Sequence, residues 1–223
     1  MLSIVIPVLN DGHRIEVTLS RLEEADLDCE VLIVDGGSED GTTELATRKG
    51  VKVISAPRGR GSQLATGAER AIGNWLLFLH ADTRPGPGWT TVIKRFMAEP
   101  NNRFRAAYFT FALDDPSPNA RRLEKMVHWR CQTLGLPYGD QGFLISRDYY
   151  DRLGGYQPIP LMEDVEMVSH IKSHRLEQLP AIAMTSAERF QRDGYLLRPA
   201  KNLLCLALYF AGIPVTILEK LYR

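Results

Sequence analysis

Asn74–Arg84 reads NWLLFLHADTR, and the rest of the chain is arranged around it. Trp75–Leu79 is an unbroken apolar run, which predicts a strand buried on both faces. It stops abruptly at His80-Ala81-Asp82, as such a strand does on reaching the edge of a sheet. Chemistry in open α/β sheets gathers at that edge. A carboxylate fixed at the end of a rigid strand is held more firmly than one on a loop, so Asp82 suits a metal ion or a cation-bound polyphosphate. Residues 82–88 (DTRPGPG) are also turn chemistry throughout and read equally well as a solvated turn. The flanking elements decide between the two.

Upstream, Leu2–Val8 reads as a first buried strand, ended by the turn-forming Asn10-Asp11-Gly12. Ile15, Leu19 and Leu22 recur at helical spacing and predict a helix over 14–24. Residues 30–35 (EVLIVD) form a second buried strand ending in Asp35. A glycine-rich turn follows, then a short helix to Lys49 capped by Thr42 or Thr43, then a third strand over 51–55. Beyond Pro57 and the Arg58-Gly59-Arg60-Gly61 loop, a helix over 62–72 turns Leu64, Ala65, Ala68, Ala71 and Ile72 inward, with Gly73 as its stop. Strand alternating with helix four times is the grammar of a mainly parallel, twisted α/β sheet with helices on both faces. Three strand ends then carry acids, Asp11, Asp35 and Asp82. Together with the glycine–arginine loop they outline a pocket able to hydrogen-bond a ribose and a base and to hold a cation against a diphosphate.

Other nucleotide readings fare worse. The turn after the first strand has a single glycine where a dinucleotide fold needs G-x-G-x-x-G, and neither glycine cluster supplies the lysine of a P-loop. Asp82 and phosphate oxygens are hard ligands, suited to magnesium or manganese rather than to a soft metal. With 223 residues, 44% hydrophobic and 24% charged, the chain can bury a full core. Its 27 basic residues balance 27 acidic ones and no basic stripe stands out, which excludes nucleic acid as a partner. Cys29, Cys131 and Cys205 are odd in number and far apart, as in a reducing compartment. The strand-like start MLSIVIPVL carries no leader pattern, so the sequence predicts a cytoplasmic protein, at most peripheral to the inner membrane.

Five motifs now stand in order: SIVIPVLND (3–11), VDGGSEDGT (34–42), RGRGSQLATGAERAIGNWLLFLHADTRP (58–85), GDQG (139–142) and MED (162–164). Their combination resembles the family 2 glycosyltransferases of the Rossmann-like GT-A fold. More narrowly it is similar to a short bacterial branch associated with radical SAM and selenodomain proteins and with arsenosugar biosynthesis. The resemblance implies a metal-dependent inverting glycosyltransferase that uses a nucleoside-diphosphate sugar, a divalent cation (Mn2+ or Mg2+) and a small-molecule or lipid-linked acceptor. It carries nucleoside binding to Pro7, Asp11 and Asp35, metal binding to Asp82, the donor and acceptor pocket to Asp140, and general-base duty to Asp164. The family's acidic motif is usually Asp-x-Asp, and His80 stands where its first Asp is expected. That leaves one acid for the metal, with phosphate oxygens needed to complete the shell. His80 reads either as a ribose or metal contact or as a strand-end histidine, and Arg60 either as a phosphate contact or as a solvated loop residue.

In the second half, residues 105–113 predict an aromatic-rich strand and 119–134 a helix whose Leu123, Met126, Val127 and Arg130 spacing reads as core packing. Gly139–Gly142 is a tight turn before a strand over 143–146, in which Asp140 bonds either a ligand or its own backbone. Glu163 and Asp164 open a helix over 165–174, where the helix dipole keeps a carboxylate ionised and ready to accept a proton. Residues 186–193 (SAERFQRD) bring Arg189 and Arg192 within reach of phosphates in principle, but read first as a solvated charged turn. The sequence divides into a catalytic domain over 1–194 and an apolar helical tail over 195–223. That tail is broken by Gly212 and Pro214 and too short to span a membrane. With Arg198, Lys201, Lys220 and Arg223 around it, it predicts packing on the core or on a second copy ahead of membrane-surface contact. The competing readings are a non-catalytic nucleotide-binding scaffold and a sugar-1-phosphate nucleotidyltransferase. The latter expects its glycines after the first strand, and here they follow the third.

Overall fold

The computed structural model describes residues 1–222; Arg223, one of the basic residues around the tail, lies outside them. The chain runs β1 (Leu2–Val8), α1 (Gly12–Glu23), β2 (Cys29–Asp35), α2 (Thr42–Arg48), β3 (Lys52–Ser55), α3 (Arg60–Arg70) and β4 (Trp75–Phe78). It continues through β5 (Thr83–Pro85), α4 (Trp89–Ala98), β6 (Ala106–Leu113), α5 (Pro118–Leu134), β7 (Phe143–Ser146), α6 (Arg147–Leu153) and α7 (Glu163–Ser169). It ends with β8 (Leu176–Thr185), α8 (Glu188–Asp193), α9 (Leu197–Phe210) and α10 (Val215–Tyr222). The eight strands form one sheet in the order β3-β2-β1-β4-β7-β6-β8-β5. β3, β2, β1 and β4 are mutually parallel, as are β6 and β8; β7 runs antiparallel to both its neighbours, and β5 runs antiparallel to β8.

Period-two alternation along the buried strands explains the layering. Leu2, Ile4, Ile6 and Val8 face α1, α2 and α4, packing with Ile15, Leu19, Ala46, Trp89 and Ile93. Val5, Leu32 and Val34 face the other side, where α3, α6 and α7 bring Leu64, Ala68, Tyr149, Met167 and Val168. A third cluster joins β6 to α5 and α8. Helix α3 lies so close to the sheet that a Cβ at Gly67 would fall 2.3 Å from Val5 Cγ1. Arg147 ties the two halves together by donating to the carbonyls of Ala68, Ala71 and Gly73 at the end of α3.

Several expectations are corrected. The segment after Asp82 is not a solvated turn. Thr83–Pro85 leave the middle of the sheet and pair with β8 at its far edge. Ile72 does not face the core and is 71% exposed, because α3 stops at Arg70. Helix α7 ends at Ser169, well short of residue 174. Met126 lies outside the core although Leu123 and Val127 are in it, since α5 buries only one stripe. The tail folds as α9 and α10, and no helix among the described residues is long and apolar enough to cross a membrane.

Candidate active site

The strand ends converge on a hollow of about 120 Å³ lined by Arg60, His80, Asp82, Asp140, Glu163 and Asp164, among others. Asp82 follows β4 and is pinned by its backbone. Ser186 N–H donates to its carbonyl (3.1 Å), and the buried Thr18 hydroxyl donates to the carbonyl of Ala81 (2.7 Å). Thr83 and Thr185 share a hydroxyl contact of 3.0 Å, and Thr185 also donates to the Asp140 carbonyl (2.9 Å). The centre and far edge of the sheet thus hold the two acids in fixed relation. The Asp82 side chain is only 10% exposed, and the Arg189 guanidinium stands 3.9 Å from its Oδ2. Arg189 overturns the reading of residues 186–193 as a solvated turn: they include α8, which aims Arg189 into the hollow. Arg192 does remain outside, paired with Asp193.

Asp140 sits on a 3₁₀ turn, Gly139–Gln141, anchored by the buried Gln141. The Gln141 amide oxygen accepts from Arg130 (3.2 Å), and its NH2 donates to the Phe109 carbonyl (3.3 Å). Asp140 does not bond its own turn; its Oδ1 is buried without a hydrogen-bond partner. Burial, and after it the nearby Asp164 and Asp82 charges working against Arg130, push its carboxyl up to about 6.

Asp164 lies in the first turn of α7, after Met162, whose φ of 66° is a left-handed conformation uncommon for a side chain of that size. Gly139 N–H donates to Asp164 Oδ2 (2.8 Å), and the Tyr156 hydroxyl donates to Oδ1 (3.3 Å). Burial raises the Asp164 carboxyl, while Arg60 and the Gly139 N–H work the other way. Burial and the Asp164 charge bring its neighbour Glu163 up to about 7, against the Arg60 guanidinium at 3.3 Å. Burial alone would lower Arg60, but the two carboxylates outweigh it and keep it charged. Burial, aided by Arg60 and Arg189, pushes His80 well below its usual value, so its imidazole is neutral. His80 Nε2 is buried without a partner, 4.0 Å from Asp164 Oδ2. A Cβ at Gly139 would fall 2.3 Å from that nitrogen and 2.7 Å from Asp164 Oδ2. Gly139→Ala is expected to cost about 1–3 kcal/mol of stability through this wedge, read by chemical denaturation.

The hollow therefore brings together Arg60, His80, Asp82, Asp140 and Asp164. Pro7, Asp11 and Asp35 lie apart from it at the carboxyl ends of β1 and β2. Asp35 accepts from the backbone N–H groups of Gly37 (2.9 Å) and Ser38 (3.1 Å), and Asp11 pairs with Arg14 at 2.9 Å. Sequence reasoning did not single out Tyr138, Tyr156 or Asn202 for the site, since Tyr138 and Tyr156 lie in loops and Asn202 on α9, whose approach to the strand ends a linear pattern does not reveal. As a metal site the hollow is sparse. No group of three or more His, Cys, Asp or Glu ligands gathers among the described residues. Asp82 offers a hard carboxylate beside the unpartnered neutral nitrogen of His80, a donor set that fits a divalent ion only when phosphate oxygens complete it.

The fold has known counterparts. Residues 3–153 match the family Glycosyl transferase family 2. Glycosyltransferase AglE of Haloferax volcanii is 33% identical over 97 residues, 39% of this chain and 32% of its own length. Undecaprenyl-phosphate 4-deoxy-4-formamido-L-arabinose transferase of Aeromonas hydrophila subsp. hydrophila is 31% identical over 99 residues, covering 39% of this chain and 30% of its own. The matched region thus spans about a third of these curated relatives. Among solved structures, mannosyltransferase PcManGT from Pyrobaculum calidifontis, in complex with GDP-Man and Mn2+, aligns with a TM-score of 0.61 at 18% identity over 82% of this chain and 56% of that one. Glucosyl-3-phosphoglycerate synthase from Mycobacterium tuberculosis, with Mn2+, UDP and glucosyl-3-phosphoglycerate, aligns at 0.58 and 18% identity over 83% and 70%. These likenesses establish the GT-A, Rossmann-like fold, and the match over residues 3–153 makes this chain a member of glycosyl transferase family 2.

Proposed function

We propose that the chain moves a glycosyl group from a nucleoside-diphosphate sugar to an acceptor hydroxyl, with inversion at the anomeric carbon. The observation that carries this reading is that one hollow holds both kinds of group the reaction needs. Asp82 has Arg189 3.9 Å away, and Asp164, held by Gly139 and Tyr156, stands next to Glu163 and its partner Arg60. Base and ribose would lie along the ends of β1 and β2, toward Asp11 and Asp35, because the hollow is too small for a whole nucleotide sugar. Asp164 takes the proton of the acceptor hydroxyl, whose oxygen bonds to the anomeric carbon as the bond to the diphosphate oxygen breaks and its electron pair leaves with the diphosphate. Arg60 and Arg189 offer charge-assisted hydrogen bonds to that leaving group. A divalent cation, Mn2+ or Mg2+ as in the neighbours' complexes, would be held by Asp82 with His80 beside it and would supply charge neutralisation for the diphosphate. Residues 1–194 form the catalytic domain in this reading, with 195–223 as a tail that helps wall the pocket. The narrower resemblance points to a sugar-like, hydroxyl-bearing acceptor.

The test is thermal unfolding with UDP, GDP and CDP, with and without manganese. At about 100 times its dissociation constant, the correct nucleotide adds roughly 2.7 kcal/mol and raises the midpoint by about 5–10 °C, only with metal. No shift with any of the three at millimolar concentration would favour the scaffold reading.

Activity should also follow pH in a stated direction. A base must be ionised, so kcat rises as pH climbs through the Asp164 value, which burial raises above that of an ordinary carboxyl. Glu163→Gln removes the neighbouring negative charge, makes ionising Asp164 easier and is expected to move that limb to lower pH. A pH–rate profile of the two proteins checks it, and an unmoved limb would separate Glu163 from the titration.

A further inference from the structure

A second cavity, about 1030 Å³ in volume, runs between α5 and α9 and opens onto the hollow just described. The two share Tyr138, Asp140, Phe190 and Asn202. Away from that junction the walls are mostly apolar. Met126 and Trp129 on α5, and Leu196 before and Leu203 on α9, stand 53%, 59%, 84% and 63% exposed. A contiguous apolar patch of this kind on a folded chain marks a binding surface. The junction itself is polar and unfinished. Asp140 Oδ1 and Asn202 Oδ1 are both buried without a hydrogen-bond partner, and both can only accept.

From this juxtaposition we propose that the acceptor is a neutral amphiphile, its hydroxyl-bearing head donating to Asp140 and Asn202 and its hydrocarbon chain lying in the α5–α9 groove. Such a molecule satisfies both features at once. Its hydroxyls supply the donors that two buried oxygens lack, and its chain covers the apolar walls. The head is neutral rather than anionic because Asp140 and Asp164 line the hollow it must enter, and the arginines that also line it, Arg60, Arg189 and Arg198, already face Glu163, Asp82 and Asp193. A head seated at Asp140 also presents a hydroxyl toward Asp164. The assignment rests on the transferase reading for its chemistry, but the binding it predicts does not need the donor.

Trp129 is a built-in reporter, since Trp89 is buried and Trp75 half-buried. The probe is dodecyl maltoside below its micellar concentration. Saturable binding should shift tryptophan emission to shorter wavelength, whereas maltose alone gives no shift and dodecyl phosphate binds at least about tenfold more weakly. Shortening the chain to octyl is expected to weaken binding by at least about tenfold. Leu203→Glu should abolish the shift with the melting midpoint retained, Asn202→Leu should weaken maltoside binding about fivefold or more, and Trp129→Phe should remove the signal. Three outcomes would overturn the proposal: no shift at any chain length, an equal shift from phosphatidylcholine vesicles whatever the head group, or a shift on raising protein concentration alone, which would assign the groove to a second copy. If the maltoside binds as expected but no nucleotide stabilises the protein, the groove assignment stands and the transferase reading fails.

Discussion

Asp164→Asn is expected to lower turnover by about 10²- to 10⁴-fold while nucleotide binding is kept. Asparagine has the shape of aspartate and retains an oxygen to accept from Gly139 N–H, so the first turn of α7 should keep its place. What it lacks is a lone pair basic enough to take the hydroxyl proton. Loss of fold is separable from loss of base by the sign of the stability change. A carboxyl whose folded value is raised contributes most when protonated, and that contribution fades as pH rises through the folded value. At pH 8 the buried charge is at its most costly, so the Asn variant should melt no lower than the parent protein there. A protein equally stable and nearly inactive identifies a base. Full turnover would transfer the role to another acid, and Asp140, whose carboxyl is held near 6 in the same hollow, would be the next to replace.

Asp82→Ala acts on the other side of the reaction. With a single carboxylate for the cation and no cluster of ligands among the described residues to take over, the metal-dependent part of nucleotide binding should collapse. A hundredfold weaker complex, tested at the concentration that gave about 2.7 kcal/mol before, retains only about 0.4 kcal/mol, and the midpoint shift falls from about 5–10 °C to about 1–2 °C. Melting curves with and without manganese read this directly. Unchanged metal-dependent stabilisation would place the cation elsewhere. His80→Ala, a smaller perturbation at the neighbouring position, tests whether the imidazole shares the ion.

Local patterns disclosed the first half of the fold because its contacts there follow chain order. β1 to β4 alternate with helices, each strand is a short apolar run, and the four lie side by side and parallel in the order β3-β2-β1-β4. Beyond residue 85 that grammar lapses. β8 carries Pro180 beside a register shift between Phe109 and Thr110 of its partner, and although residues 179–185 alternate inward and outward, the outward positions include the apolar Ile182 and Met184 and the inward ones include Thr185, so polarity does not follow the alternation. Without β8 there is no way to see that residues 83–85 form β5, nor that Ser186 and Arg189 stand beside Asp82. Of the site, the acids were legible because buried strand ends and first helical turns leave marks in sequence. Tyr156, Tyr138 and Asn202 were not, because nothing in their own segments distinguishes them from ordinary packing. Met126 shows the converse error: its spacing suits a core helix, and it lies in the groove.

The crossing of the chain from β4 to the far edge of the sheet also bears on the order of assembly during synthesis. Residues 1–79 can close four parallel strands over modest loops, and short-range closures form first. Asp82 directly follows that early segment, yet its position depends on Thr83–Pro85 pairing with residues 183–185 and on Ser186 bonding its carbonyl, about a hundred residues later in the chain. A nascent polypeptide still lacking β8 would hold the ends of β1 and β2 in shape with Asp82 unanchored. Asp82 gains its fixed geometry only once β8 has left the ribosome, and pulse-labelled hydrogen exchange should find β1–β4 protected before β5.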